Sequence, residues 1–339
     1  LVYYESVVRG RRVFLDYRSN PSFPGAAFGV GEIPSEARDY LERSNALGET
    51  PIERLLAMNA PAYELFLKHG TDLAREPLEI AVCHQHVNGG LCGDIWWESN
   101  VRNLFPVGEA NGSHGVYRPG GAALNAGQVG GLRAAQMIAH RLSAGGPFLN
   151  DESDASVRAA LESRLNECRR TLSSAPIDPR DERWRMRERM SRVLGILREP
   201  TAIEEALSAN ADALKRHHAS GVADPGELRG FFRNADLLAA ERCFLEASRL
   251  VLSRIGGGRG SYLSGTIERF LEVDDARRAR GLRPPETGAM ALDETVEVEL
   301  APGGGVVTRI VSVRPVPEDD GWFERIWKEY RDGSVYESQ

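Results

Sequence analysis

Two stretches of this chain gather residue types able to hold a ligand or take part in chemistry. The first runs from Asn103 to Arg141. A short apolar run, Leu104 to Val107, has the length of a buried strand end, and Gly108-Glu109 breaks it. A segment containing Gly120, Gly121, Ala122, Ala123 and Leu124 then leads to a helix expected from Gln128 onward, with Val129, Leu132, Ala135, Met137 and Ile138 as its apolar positions. A strand, a glycine-rich turn and a helix N-terminus in succession suit a phosphate-bearing or otherwise electron-rich ligand. Bare N–H groups and the positive helix end face it, and the glycines remove the Cβ atoms that would keep a flat molecule off the backbone.

The second stretch is Glu79 to Gly93, EIAVCHQHVNGGLCG. Ile80 to Val82 reads as a strand. Continued in that conformation, His84 and His86 project from one face and Cys83 and Gln85 from the other. Cys83, His84, His86 and Cys92 are all legitimate ligands for zinc or copper. Adjacent Cys83 and His84 point to opposite faces, however, and the spacing matches no zinc module, so no metal is expected. A buried histidine satisfied by backbone is the plainer alternative for either ring. Trp96 and Trp97, within Asp94 to Glu98, either wall a ligand pocket or fill core.

The elements around these stretches are mostly helical. Ser35 caps a helix through Arg43. Thr50-Pro51-Ile52-Glu53 has capping-box spacing with proline at the first helical position. After a linker at Pro147 to Asp151, helices are expected over Ala155–Leu172, Asp181–Leu197, Ile203–His217 and Pro225–Ile255. His217-His218 at a helix end reads as a complement to the dipole. Thr295–Leu300 and Val306–Val311 alternate as strands joined through Pro302-Gly303-Gly304-Gly305, and Trp322–Tyr330 is a short amphipathic helix whose default role is packing or oligomer contact.

The 339 residues suffice for two or three domains. A net charge of -7 with interspersed Lys and Arg argues against nucleic acid, and no apolar run reaches the ~18 residues of a membrane helix. Four cysteines without a framework suggest reduced thiols and a cytoplasmic protein.

The wording of the first stretch, LFPVGEANGSHGVYRPGGAALNAGQVGGLRAA, resembles the carboxyl-terminal flavin signature of the fumarate reductase/succinate dehydrogenase/L-aspartate oxidase flavoproteins, of the form LFAxGE…HGANRLGGNSL…FGRxAG. Gly108, Glu109, His114, Gly115, Arg118, Gly120 and Leu124 match. The resemblance covers residues 10–18 and 80–142 well and 155–270 loosely. It implies FAD as cofactor and hydride transfer with a small carboxylate- or carbonyl-bearing substrate. Arg118 is then the substrate-carboxylate anchor, a task suited to a planar, always-charged fork; its alternative is an ion pair with Glu98 or Glu109. Glu109 implies a contact to flavin hydroxyls, and Gly120, Gly121, Ala122, Ala123 and Leu124 imply backbone contacts to the ring. Asn88-Gly89-Gly90 fits the glycine part of the family's HxxMGG turn, whose histidine binds substrate. Here Gln85 stands at the histidine position, flanked by His84 and His86, so either a one-residue adjustment supplies a histidine or the site presents an amide. Arg259 and Gly260 match part of a further family motif.

No strand–GxGxxG–helix fingerprint is present, and the chain opens at Leu1 in what reads as mid-domain. The resemblance places both that Rossmann unit and the proton-donating arginine upstream, so the chain is expected to be the truncated carboxyl-terminal portion of a longer flavoprotein, completed by its missing N-terminal FAD domain. The expected fold class is α+β: the end of a capping domain (1–100), a return segment of the FAD domain (101–147), a helical domain (151–272) and a β-hairpin with a short helix (285–339). A homo-oligomer is compatible with it. The runner-up function is a non-catalytic assembly module whose flavin site has decayed, kept open by Gln85 and Ala122-Ala123; a metal-binding protein is the third.

Overall fold

The computed structural model describes residues 2–23, 26–29, 31, 33–83, 89–112, 122–145, 154–255, 263–264, 294–301, 305–313 and 318–337. The chain divides into two compact units, Leu1–Gln85 and His86–Gln339.

The first unit begins with a π-helical turn at Tyr4–Val8, then β1 (Val13–Leu15), β2 (Ser22–Phe23), β3 (Ala26–Ala27), α1 (Ser35–Arg43), α2 (Pro51–Lys68) and β4 (Leu78–Ile80). β1 and β4 pair antiparallel from Val13↔Ile80 to Leu15↔Leu78, and beside them Arg12 grips Glu79 with two hydrogen bonds of 2.9 and 2.7 Å. The strand expected over Ile80–Val82 thus lies two residues earlier, because its partner β1 runs out at Val13. β1 itself ends at Leu15, where Asp16 turns back to accept from the Arg18 backbone and guanidinium. The Thr50 capping box forms as expected, with Glu53 N donating to Thr50 Oγ1 and Thr50 N to Glu53 Oε2. α2 kinks at Asn59, two residues before Pro61, and the Asn59 side chain accepts from Ala62 N at 3.2 Å. Proline has no N–H and crowds the preceding turn, which is the physical cause of the bend.

The second unit contains α3 (Ala122–Ser143), α4 (Asp154–Ser173), β5 (Ala175–Pro176), α5 (Pro179–Val193), β6 (Leu197–Arg198), α6 (Pro200–Ala219), β7 (Ser220–Gly221), α7 (Leu228–Ile255), β8 (Leu263–Ser264), β9 (Glu294–Leu300), β10 (Val306–Ser312) and α8 (Trp322–Asp332). Asp178 caps α5 by accepting from Arg180 N, and Pro179 and Pro200 take the first helical positions. β5 pairs parallel with β7, and β6 with β8. β9 and β10 form the expected hairpin, from Glu294↔Ser312 to Leu300↔Val306.

α5, α6 and α7 bury Val193, Ile203, Leu207, Leu245 and Leu252 in one core cluster and Met186, Ala213 and Leu238 in another. A polar network threads these cores. Arg189 binds both oxygens of Glu241 at 2.6 Å, and Asn210 donates to Glu241 and to the Leu238 carbonyl, each at 2.9 Å. Asn234 donates to Glu182 and to the Pro179 carbonyl and accepts from Arg183. His217 lies in the last turn of α6, at the helix end read as a dipole complement, and has a specific partner as well. It is buried, 3.0 Å from Glu182, with its ring stacked on Phe231 at 4.0 Å. Its partner lies 35 residues away, beyond the reach of a local reading.

Candidate functional site

Two glycine-bearing segments run side by side at the start of the second unit, joined by a parallel bridge between Leu91 and Asn111. Leu91 N donates to Ala110 O at 2.8 Å, and Gly112 N donates to Leu91 O at 3.0 Å. Gly90 and Gly112 meet back to back in this pairing. A Cβ on Gly90 would lie 2.5 Å from Ala110 O and 2.9 Å from Gly112 N, so neither segment tolerates a side chain there. Gly108 has φ +67°, the left-handed region that favours glycine, and opens a 3-10 turn through Glu109 and Ala110. α3 packs on that turn, with Gly127 close enough that its Cβ would meet Gly108 Cα at 3.4 Å. The fold therefore brings Gly89, Gly90, Gly108 and Glu109 together beside the N-terminal turns of α3, which carry Ala122, Ala123 and Leu124. Around the Cβ directions of Gly89 and Gly108, nothing among the described residues lies within 4 Å. Bare backbone next to open space is what a flat, polar-edged cofactor needs, so these residues fit a flavin.

Two local expectations change. α3 starts at Ala122, six residues before the expected Gln128, because Ala122-Ala123-Leu124-Asn125-Ala126 are competent helix residues and Gly127 serves as a packing site inside the helix. Leu104–Val107 forms no strand. The Leu104 backbone is committed to a turn instead, accepting from Ser99 N at 2.8 Å and donating to Val101 O at 3.1 Å.

The loop between the two paired segments is pinned to α3 by charge and ring contacts. Asp94 accepts from the backbone of Trp96 at 2.7 Å and Glu98 at 2.9 Å. Trp96 is buried with Met137 and Val335. Trp97, in the left-handed region at φ 64°, lies so close to Gly130 that a Cβ there would sit 2.7 Å from the indole. The two tryptophans thus divide the two expected roles: Trp96 is core, while Trp97 lines an open hollow with Gly93, Asn111 and Arg133. Arg133 donates to Ile95 O at 3.0 Å and lies over the Trp96 ring at 4.4 Å, and burial lowers its pKa. Arg141 binds both oxygens of Glu98, which also accepts from Asn103 N. Hydrogen bonding from Arg141 holds Glu98 below the usual carboxylate range. Glu98, read as an alternative partner for Arg118, is thus engaged by Arg141. Arg133 and Arg141 were not singled out in the sequence; their signal was two arginines two turns apart on one helix.

His84, Gln85, His86 and Asn88 lie outside the described residues, as do His114, Gly115, Arg118, Gly120, Gly121, Arg259 and Gly260. Cys83 and Cys92 are free and exposed. Burial, and then the Glu297 carboxylate 3.4 Å from its sulfur, push the Cys92 thiol up. Among the described residues no group of three or more His, Cys, Asp or Glu side chains is placed to hold a metal ion, and no helix is long and apolar enough to cross a membrane.

No family model matches the chain. It is 31% identical over 229 residues to a subunit of the CoM/CoB fumarate reductase of Methanothermobacter marburgensis, covering 66% of this chain and 39% of that protein. It is 35% identical over 96 residues to an uncharacterized FAD-dependent oxidoreductase of Methanocaldococcus jannaschii, covering 28% of this chain and 17% of that protein. Its fold superposes on a mutant FrdA of E. coli quinol fumarate reductase with a TM-score of 0.61 at 18% identity, over 92% of this chain and 56% of that one. For the Mycobacterium smegmatis Sdh1 complex the TM-score is 0.54 at 24% identity, over 79% and 42%. The chain thus spans well under two thirds of the length of each of these relatives.

Proposed function

Because this chain resembles the fumarate reductase/succinate dehydrogenase-like flavoproteins in sequence and fold, we propose that it forms one side of the flavin site of an FAD-dependent oxidoreductase acting on a small carboxylate- or carbonyl-bearing substrate. The observation that carries the reading is the pairing of Gly89-Gly90 with Gly108 to Gly112 under the start of α3. These are the segments that resemble the family's two glycine motifs, and they pair where no described residue lies within 4 Å of the Cβ directions of Gly89 and Gly108.

When bound, FAD supplies acceptance and return of a hydride. The chain's residues bind and orient. The backbone at Asn88, Gly89 and Gly90, and from Gly120 through Leu124, would hold the cofactor, and Glu109 would accept from its hydroxyl groups. Arg118 anchors the substrate carboxylate, since a guanidinium offers two parallel donors to a planar anion. His84 or His86, or Gln85 in their place, orients the substrate's other end. The dinucleotide-binding domain comes from a further part of the same protein. α3 supports this, because Leu124, Val129, Leu132 and Leu142 are all exposed on it, and large apolar residues exposed together mark a surface that another domain can cover.

The test is Arg118→Met in a longer, flavin-loaded protein that also carries the dinucleotide-binding domain. Turnover of a small dicarboxylate should fall at least a hundredfold in kcat/KM, while the visible flavin spectrum stays unchanged. An unaltered kcat/KM contradicts the anchoring role. Gln85→His should raise turnover on the same substrate, and no change counts against a substrate role for that turn.

A further inference from the structure

The tail of the second unit exposes an apolar helix face. α8 sets Trp322, Phe323, Ile326, Trp327 and Tyr330 on one side at helical spacing. All five are exposed, Phe323 at 59% and Trp327 at 51%. Trp322 meets Phe323 edge-on with ring centroids 6.0 Å apart, and Trp327 stacks on Tyr330 at 5.8 Å. The anchor to the rest of the unit lies at the far end of the helix. Gln136 donates to the Tyr330 hydroxyl at 3.1 Å, and Val335 and Tyr336 enter the core around Trp96 and Met137. An eleven-residue helix is marginal in water and draws its stability from burying its apolar face. Tryptophan, tyrosine and phenylalanine are also the side chains that carry interface energy. Glu324, Glu329 and Asp332 balance Arg325, Lys328 and Arg331, so the polar side lacks the excess of cations that an anionic lipid surface selects.

The charges beside this face indicate its occupant. Along one flank Arg325 is followed one turn later by Glu329; along the other, Glu324 is followed two turns later by Arg331. We propose that α8 is a self-association surface on which two copies of this chain pair antiparallel about a two-fold axis. In that arrangement each flank meets its own counterpart in reverse order. Arg325 then faces Glu329 of the second copy, and Glu324 faces Arg331, each twice by symmetry. The aromatic faces close against each other in the middle. The present partner of Arg325 is Asp319 at 2.9 Å, an exposed pair that exchanges at little cost.

Sedimentation velocity of the purified protein over a concentration series tests this. The expected result is a reversible dimer, which Trp327→Glu converts to monomer with unchanged far-UV circular dichroism. Arg325→Glu and Glu329→Arg should each weaken association about tenfold. An equimolar mixture of those two variants should recover it, because each new acid then faces a new base across the axis. The proposal is overturned by a protein monomeric throughout the series, which would leave the face to another polypeptide. It is equally overturned by a dimer indifferent to Trp327→Glu, or by a mixture that associates no better than its components.

Discussion

The α5–α7 bundle and the paired glycine segments beneath α3 belong to one compact unit and solve opposite problems. In the bundle, buried side chains find partners on neighbouring helices: Arg189 with Glu241, Asn210 Nδ2 with Glu241 and Leu238 O, His217 and Asn234 with Glu182. Asn210 Oδ1 has no hydrogen-bond partner among the described residues. Where the glycine segments pair, backbone approaches backbone until no Cβ fits, two of the glycines have no described residue within 4 Å of their Cβ directions, and Leu124, Val129, Leu132 and Leu142 of α3 are exposed. One region spends its sequence on internal satisfaction. The other withholds side chains, which leaves backbone accessible in the way the proposed flavin site requires.

Perturbing the bundle should have the largest effect on stability. Arg189→Met leaves Glu241, only 2% exposed at its side chain, as an unpaired buried charge, and should cost about 3–5 kcal/mol in urea unfolding. Adding Glu241→Leu should recover much of that loss, since Asn210 keeps the Leu238 carbonyl as acceptor. No recovery would mean that the network, and not the pair, carries the energy. Where the glycine segments pair, Gly90→Ala should cost about 1–3 kcal/mol through the forced separation of two backbones, and a neutral result would show that the segments part easily.

A smaller effect sharpens the contrast through pH. Burial pushes the Glu182 carboxyl up, but hydrogen bonds from His217 and Asn234 outweigh it, and its pKa settles below the usual 4.5. A depressed carboxylate contributes stability that is present above its unfolded pKa and lost as pH falls through the folded one. Stability should therefore decline below about pH 4.5, and Glu182→Gln should flatten that part of the profile. Parallel acid limbs for the two proteins would remove Glu182 from the account.

The sequence made the bundle legible in outline and the glycine pairing legible in residue type. Helical periodicity placed α4 through α7 within a few residues of their ends, and Pro302-Gly303-Gly304-Gly305 between alternating runs announced the β9–β10 hairpin. The two-residue strands β5 to β8 left no trace, because they are contacts between segments far apart in the chain rather than local preferences. For the same reason the helix-end position of His217 was legible while its partner Glu182 was not. The glycines stood out by residue type while their geometry did not. Nothing in the order of residues says that Gly90 lies against Gly112, or that Gly127 belongs inside α3 rather than in the turn before it.

The most direct test of the central claim is a visible absorption spectrum of this chain, and of a longer protein that also carries the dinucleotide-binding domain, each purified without added cofactor. If the glycine pairing is one side of a shared flavin site, flavin bands accompany the longer protein and are absent from this chain. Absence of flavin from both would contradict the oxidoreductase reading and leave the pairing as a structural joint.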